Sequence, residues 1–483
     1  MARAMIRFRN LAAALCAALA CLGAPAAADS RLPFPVAAAL QAAAIPPSAV
    51  SIHVQETGAA SPRLTLNSGR PMNPASLMKL VTTHAALETL GPAFTWKTAA
   101  LTEAEVADGV LAGDLWLVGS GDPKLTFERF WLLLRQLRAQ GIRSIRGDLV
   151  LDRSAFEIQV EDPGAFDAQP MRPYNVSPDA LLVGFKSLRL TLRTDVAARR
   201  VHVTAEPAPA NLDLVNLVRL GNGGGCGDWR EGLRADVSRH GDNFRLALTG
   251  TYAPACGERH WNLVVMPHAD HVLGVFRQLW EELGGRLDGG VRSGIVPPTV
   301  RTLASIESPA LAEIVRDINK FSNNVMARQL FLTLGAEAGA RPARSEDAEA
   351  FLRRWLDTQG LVFPEMIVDN GSGLSRRERL SADSLGRLLQ AAWKSPLMPE
   401  FVASLPLAAS DGTMKKRLNG NGSARRMHIK TGSLEGVKTI AGYVLDRHER
   451  MHTVVFMINH ANARAGQAAQ DALLQWVVEG DDG

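Results

Sequence analysis

A serine and a lysine stand three residues apart in NPASLMKLVTT (residues 73–83), where an apolar helical pattern begins. At that spacing Ser76 and Lys79 share one face of a helix. A lysine on an inner apolar face loses its hydration, and the positive end of a helix also disfavours a cation. Both effects push the amine toward neutrality. A neutral amine beside a hydroxyl can take its proton, so the pair has the chemistry of a nucleophile and its base. Ser-x-x-Lys alone is weak evidence. Here it occurs once, followed by Ser322-Asn323-Asn324 in INKFSNNVMARQL and Lys430-Thr431-Gly432-Ser433 in MHIKTGSLEG. Each of these clusters is also unique in the chain.

Elements to position these residues are legible around them. VSIHVQE (residues 50–56) alternates apolar and polar, and PRLTLNSG (62–69) answers it as a hairpin. The Ser76 helix carries Leu77, Leu80, Val81, His84, Leu87 and Leu90 at helical spacing. From 99 to 262 short strand-like runs such as GDLWLVG, LRLTLRT and FRLALTG alternate with Gly, Pro and Asp turns around one amphipathic helix, FERFWLLLRQLRAQG. Long amphipathic helices return from 263, and the chain closes with the strands MHIKTGS, KTIAGYVLD and MHTVVFMINH and a last helix. Strands from both ends can join one sheet. The expected organisation is a leader over 1–28, an α/β domain from 29–98 plus 263–483, and an inserted β-rich module over 99–262.

The bulk numbers narrow the function. The chain has 483 residues, 46% hydrophobic and 21% charged, as in ordinary folded proteins. Residues 1–28 combine Arg3, Arg7 and Arg9, a short apolar run and Ala26-Ala27-Ala28, the marks of a cleaved secretory signal. A lipidated Cys21 is disfavoured, because Ala18 stands where a large aliphatic residue is usual. Of 53 basic residues three lie in the leader, so 50 face 49 acidic ones afterwards. A chain so nearly neutral, with three tyrosines, is not built for nucleic acid. Cys226 and Cys256 remain as an even pair, expected to form a disulfide in an oxidising compartment.

Competing uses of other residues are weaker. His84 is expected to pack rather than catalyse. His268 and His271 in PHADH lack an evident third ligand, so no metal site is expected, and no cofactor motif is present. LVGSGD lacks the Lys-Ser/Thr of a phosphate loop, and Gly-x-Ser-x-Gly is absent.

The three clusters in this order resemble the D-alanyl-D-alanine carboxypeptidases/endopeptidases of the penicillin-binding protein 4 type, the class C low-molecular-mass group in serine peptidase family S13. GDLWLVGSGDPKLT, DNGSGLSRRERLS and LPLAASDGTMKKR also carry the resemblance, which spans nearly all of the chain after the leader. It implies an α/β (α+β) fold: a penicillin-binding-protein/serine β-lactamase-like transpeptidase domain with a large β-rich inserted module. It also implies roles. Ser76 attacks the carbonyl between two D-alanines and Lys79 is its base. Ser322 and Lys430 relay a proton to the leaving amine, and Lys430 adds positive charge near the substrate carboxylate. Asn324 holds a peptide amide. The N–H groups of Ser76 and Ser433 form the oxyanion hole. The Thr431 and Ser433 hydroxyls, with Arg376, take the terminal carboxylate, and Gly432 between them also lines the substrate. The implied partners are peptidoglycan stem peptides, with β-lactams as covalent inhibitors, in the periplasm; a homodimer and a peripheral membrane contact stay open.

Two departures stand out. The middle cluster is Ser-Asn-Asn rather than Ser-Asp-Asn. Some relatives carry an acidic residue after a Pro-aromatic-Asn segment, facing the diaminopimelate side chain, but here Val176 follows Pro173-Tyr174-Asn175 and Asp179 is the candidate substitute. Two other functions share the fold. A serine β-lactamase fits poorly with a separation of 246 from Ser76 to Ser322 and no Glu-x-x-Leu-Asn segment. A non-catalytic wall-binding protein could have lost the nucleophile or the base, yet both are present.

Overall fold

The computed structural model describes residues 32–157, 162–419 and 424–480. The expected leader over 1–28 lies outside the described residues. Among the described residues no helix is long and apolar enough to cross a membrane.

A five-stranded antiparallel sheet carries the first module. Its strands run in the order Met427–Leu434, Val437–Leu445, Met451–Asn459, Val50–Glu56, Leu64–Leu66. Successive residues of a strand face opposite sides, so each strand serves two cores. Ile440, Val444, Val454, Phe456 and Ile458 pack on one side with Phe34–Ala42 and the closing helix Gln467–Glu479. Ala441, Tyr443, Val455 and Met457 face the other side, where most of the helices lie. The Ser76 helix, Met78–Leu90, runs through that second core and is buried from Met78 to Leu87. The helix Leu311–Phe321 covers it with Leu311, Ile314, Val315 and Ile318, one apolar stripe at helical spacing. The expected hairpin is present, with Ile52 opposite Leu66.

The intervening segment folds into two parts. The first is a five-stranded sheet ordered Val291–Ser293, Leu149–Asp152, Leu115–Gly119, Lys97–Thr102, Arg301–Glu307. Phe127–Ala139 and His268–Glu282 pack on it through Phe130, Leu134, Val275, Phe276 and Trp280. The second part sets two three-stranded sheets against each other around Leu190, Leu192, Leu246 and Leu248.

These pairings correct the expected boundary at 262/263. The strand Arg301–Glu307 pairs with Lys97–Thr102, so the chain rejoins the first module only at about residue 308. The helix Phe127–Ala139 and its partner His268–Glu282 share one core of this segment. The two modules meet at Gln329, which is fully buried. Its side chain accepts from the N–H of Asp179 at 2.8 Å and donates to the carbonyl of Asp179 at 2.8 Å.

Cys226 and Cys256 form a disulfide in the second part of the insertion, with Cys256 buried among Leu190, Tyr252 and Leu263. The bond closes a separation of 30 residues. By loop entropy it contributes roughly 3.6 kcal/mol. Replacing both cysteines by alanine should lower stability by about that amount, read by denaturant unfolding. Acylation by a β-lactam should stay within about twofold of wild type, because neither cysteine adjoins the three clusters.

Candidate active site

The three clusters converge on one end of the first module. Ser76 sits in a single 3₁₀ turn, Ala75–Leu77, that runs directly into Met78–Leu90. Ala75 has φ of +46°, a left-handed geometry that costs a non-glycine residue of order 1 kcal/mol. Neighbours hold it there. Asn73 accepts from the N–H of Ala75 at 2.9 Å and donates to the carbonyl of Ser375 at 2.8 Å. A Cβ on Gly432 would lie 2.9 Å from the Ser76 nitrogen, so the Lys430 strand passes directly against the serine backbone.

Lys79 is fully buried. Its Nζ donates to Ser76 Oγ at 3.1 Å, to Asn324 Oδ1 at 2.6 Å and to the carbonyl of Ser372. Burial lowers its pKa to about 7, opposed by the charge of Glu378. As an ammonium it fills three acceptors. As an amine it keeps two N–H bonds and directs a lone pair at Ser76 Oγ. The arrangement can therefore hold a base at the serine near neutral pH.

Across the cleft, Lys430 is also fully buried. It donates to Ser322 Oγ at 2.8 Å and to the carbonyl of Thr431 at 2.6 Å. Its pKa is driven far down, first by burial and then by Lys79. Burial is thus the principal cause for both lysines, and the charge of Lys79 further disfavours the Lys430 cation. An anion entering the cleft would favour the Lys430 cation that burial disfavours.

Ser322 has φ of +55° and ends Leu311–Phe321. Asn323 then caps Asn324–Glu337, accepting from the N–H of Met326 at 3.0 Å, which leaves Asn324 on the first turn beside Lys79. Lys320, buried one turn earlier, pairs with Asp411 at 2.7 Å. That pair fixes the loop bearing Thr413, whose hydroxyl lies 2.8 Å from that of Thr431. Ser433 is exposed at the end of the same strand.

Other expected residues fall elsewhere. Arg376 donates to the carbonyl of Glu435 at 2.9 Å and lies over the Phe166 ring at 4.9 Å. Both contacts hold the guanidinium beside Glu435 and Phe166. Val176 packs with Leu182, Val264 and Val325. Asp179 is paired to Arg153 at 2.7 Å in the contact between modules, so it is not a substitute acid in the cleft. His84 packs between Trp355 and Phe401, and burial lowers its pKa to about 4. His268 faces Asp179 at 3.4 Å.

The loop Asp369–Gly373, part of the DNGSGLSRRERLS segment, supplies site contacts that the motifs do not reveal. Its Ser372 carbonyl receives Lys79, and Thr82 Oγ1 donates to the Gly371 carbonyl at 2.7 Å. Gly373 has φ of +84°, and a Cβ there would lie 2.0 Å from the Ala75 carbonyl oxygen. A run of Asp, Asn and Gly signals a turn but not its partner. Two cavities open beside the centre. One of about 560 Å³ is lined by Tyr174, Trp261, Phe321, Ser322 and Asn324. One of about 800 Å³ is lined by Phe166, Asn175, Asn370 and Arg376.

Known proteins share this arrangement of chain. A model of the D-Ala-D-Ala carboxypeptidase 3 (S13) family matches residues 34–479. A D-alanyl-D-alanine carboxypeptidase from Actinomadura sp. (strain R39) is 30% identical over 446 residues, covering 88% of this chain and 80% of the relative. The crystal structure of penicillin binding protein 4 from Haemophilus influenzae superposes with a TM-score of 0.76 at 24% identity, covering 91% of this chain and 98% of that one. The same protein complexed with a β-lactam superposes with a TM-score of 0.72 at 24% identity, covering 92% and 99%.

Proposed function

The chain belongs to the D-Ala-D-Ala carboxypeptidase 3 (S13) family, and on that premise we propose how it works: as a serine-type D-Ala-D-Ala carboxypeptidase and D,D-endopeptidase acting on peptidoglycan stem peptides through an acyl-enzyme on Ser76. The observation that carries the reading is the buried Lys79 amine, shared between Ser76 Oγ and Asn324, with the Lys430–Ser322 pair facing it.

Ser76 Oγ attacks the carbonyl carbon between the D-alanines while its proton passes to Lys79. The carbonyl oxygen gains the charge, and the N–H groups of Ser76 and Ser433 receive it. The C–N bond then breaks, and the leaving amine takes a proton by way of Ser322 and Lys430. The proton held by Lys79 replaces the one that Ser322 and Lys430 gave up, so Lys79 is neutral again; water then attacks the ester and gives a proton to Lys79, which returns it to Ser76 Oγ as the ester bond breaks. Thr431 and Ser433 hydroxyls receive the terminal carboxylate, which favours the Lys430 cation just as it is needed. A β-lactam acylates Ser76 by the same first step, in keeping with the β-lactam complex of the Haemophilus influenzae protein. The cavity beside Ser322 and Asn324 has room for more than a terminal dipeptide, which supports cleavage of cross-links as well as tails. The leader expected at 1–28 would deliver the chain to the periplasm.

The test is product analysis with a pentapeptide monomer and a cross-linked muropeptide dimer. Release of D-alanine from the first and monomers from the second is expected. Absence of both products would overturn the reading, and rapid release of a hydrolysed penicillin would favour a β-lactamase. Acylation should also rise with pH through about 7 and then level off, because Lys79 serves as a base only when neutral and burial places its pKa there. Stopped-flow acylation with a chromogenic cephalosporin reads that limb.

A further inference from the structure

Glu378 lies in a run of charges, Arg376-Arg377-Glu378-Arg379, yet it is fully buried. Its Oε1 accepts from three successive backbone N–H groups, those of Asp369 at 3.3 Å, Asn370 at 3.1 Å and Gly371 at 3.2 Å. Its Oε2 is buried without a hydrogen-bond partner. The turn it clamps presents two consecutive carbonyls to one helix: Gly371 to Thr82, and Ser372 to Lys79.

Clamping alone does not call for a carboxylate. The amide oxygen of glutamine could accept from the same three N–H groups without the cost of a buried charge, its NH2 taking the unpartnered position of Oε2. The charge has a use beside a lysine that must become a cation. When Ser76 gives up its proton, an ammonium forms in a dry site whose direct acceptors, Ser76, Asn324 and the Ser372 carbonyl, are either neutral or leaving as nucleophile. A negative charge behind the Ser372 carbonyl stabilises that ammonium through the low-dielectric interior.

We propose that Glu378 is a positioning residue for acylation: it fixes the Ser372 carbonyl on Lys79 and supplies the negative charge that stabilises the Lys79 ammonium formed as Ser76 attacks. The inference rests on Lys79 being the base. The charged groups around this pair are Asp369 in the same loop, Arg377 beside it and Lys430 on the facing strand. Burial and Asp369 oppose ionisation of Glu378, the loop amides and Lys79 favour it, and the balance lies at about 7. Glu378 in turn raises Lys79 against the lowering by burial.

The sign of the effect follows. Glu378→Gln removes the charge that favours the Lys79 cation, so the base becomes neutral at lower pH and the ammonium it forms is less stable. Acylation of the full-length protein by a chromogenic cephalosporin, followed by stopped flow from about pH 5 to 10, should show the rising limb displaced downward by roughly one unit. The plateau should fall roughly tenfold. Glu378→Asp, which restores a charge one methylene farther back, should return the limb toward wild type. A limb that stays in place in Glu378→Gln overturns the proposal whatever happens to the plateau, since a purely structural clamp would slow acylation without moving it. The base assignment fails differently: wild type itself would then show no limb near neutrality, and the proposal would fall with it. If Glu378→Gln does not fold, infrared spectra of wild type carrying labelled glutamate decide. A buried carboxyl that is ionised by the pH at which acylation reaches its plateau supports the proposal, and one still protonated there overturns it.

Discussion

Ser76→Ala is expected to take no covalent adduct from benzylpenicillin and to release D-alanine at least ~10⁴-fold more slowly than wild type, while melting at nearly the same temperature. Losing a serine nucleophile removes the acyl-enzyme route altogether, and losses of ~10⁶ are known for such a residue. The fold should not notice. Ser76 is half-buried, and its hydroxyl bonds Lys79 at the start of a helix where alanine is well tolerated. Lys79 keeps Asn324 and the Ser372 carbonyl in the variant, so the buried amine is not stranded. Intact-mass spectrometry reads the adduct, and D-alanine release reads turnover. A persistent adduct on the variant would remove Ser76 from its role.

Lys79→Arg carries the second large effect. Bringing Lys79 from 10.5 to about 7 corresponds to a disfavouring of its charged form on the order of 5 kcal/mol. Burial supplies that penalty, and Glu378 works against it. A guanidinium cannot give up its proton in this range, so it offers Ser76 no lone pair. Acylation should slow at least ~10³-fold, and the rising limb near neutral pH should vanish. The arginine enters a fully buried site, so circular dichroism must first show the variant folded. A folded variant that acylates within tenfold of wild type would make Lys79 an electrostatic bystander, with the proton leaving Ser76 through Ser322.

The motifs were legible because their chemistry is conspicuous in sequence: a lysine on the inner face of an apolar helix, and a lysine amid a β-strand pattern. The central sheet was legible for a related reason, since Ile440, Val444, Phe456 and Ile458 alternate with residues of the opposite core. Where the insertion ends was not. The helix His268–Glu282 shows the same amphipathic stripe whichever core buries it, and the strand Val291–Ser293 is too short to carry a period. Glu378 was hidden for a different reason. A glutamate among three arginines looks like solvated surface, and only the turn at Asp369–Gly371 shows that it points inward. Lys320 and Asp411 escaped similarly, because an ion pair across 91 residues leaves no local mark. Asp179 had the right charge near the right segment, but Arg153 and Gln329 had already engaged it.

The central claim is that Ser76 forms the acyl bond. The most direct measurement is proteolytic mapping of the wild-type protein after brief exposure to benzylpenicillin at neutral pH. The account predicts one modified peptide, containing residues 73–79, with the added mass on Ser76. Label on Ser322, on another residue, or on none while D-alanine is still released from a pentapeptide, would contradict it.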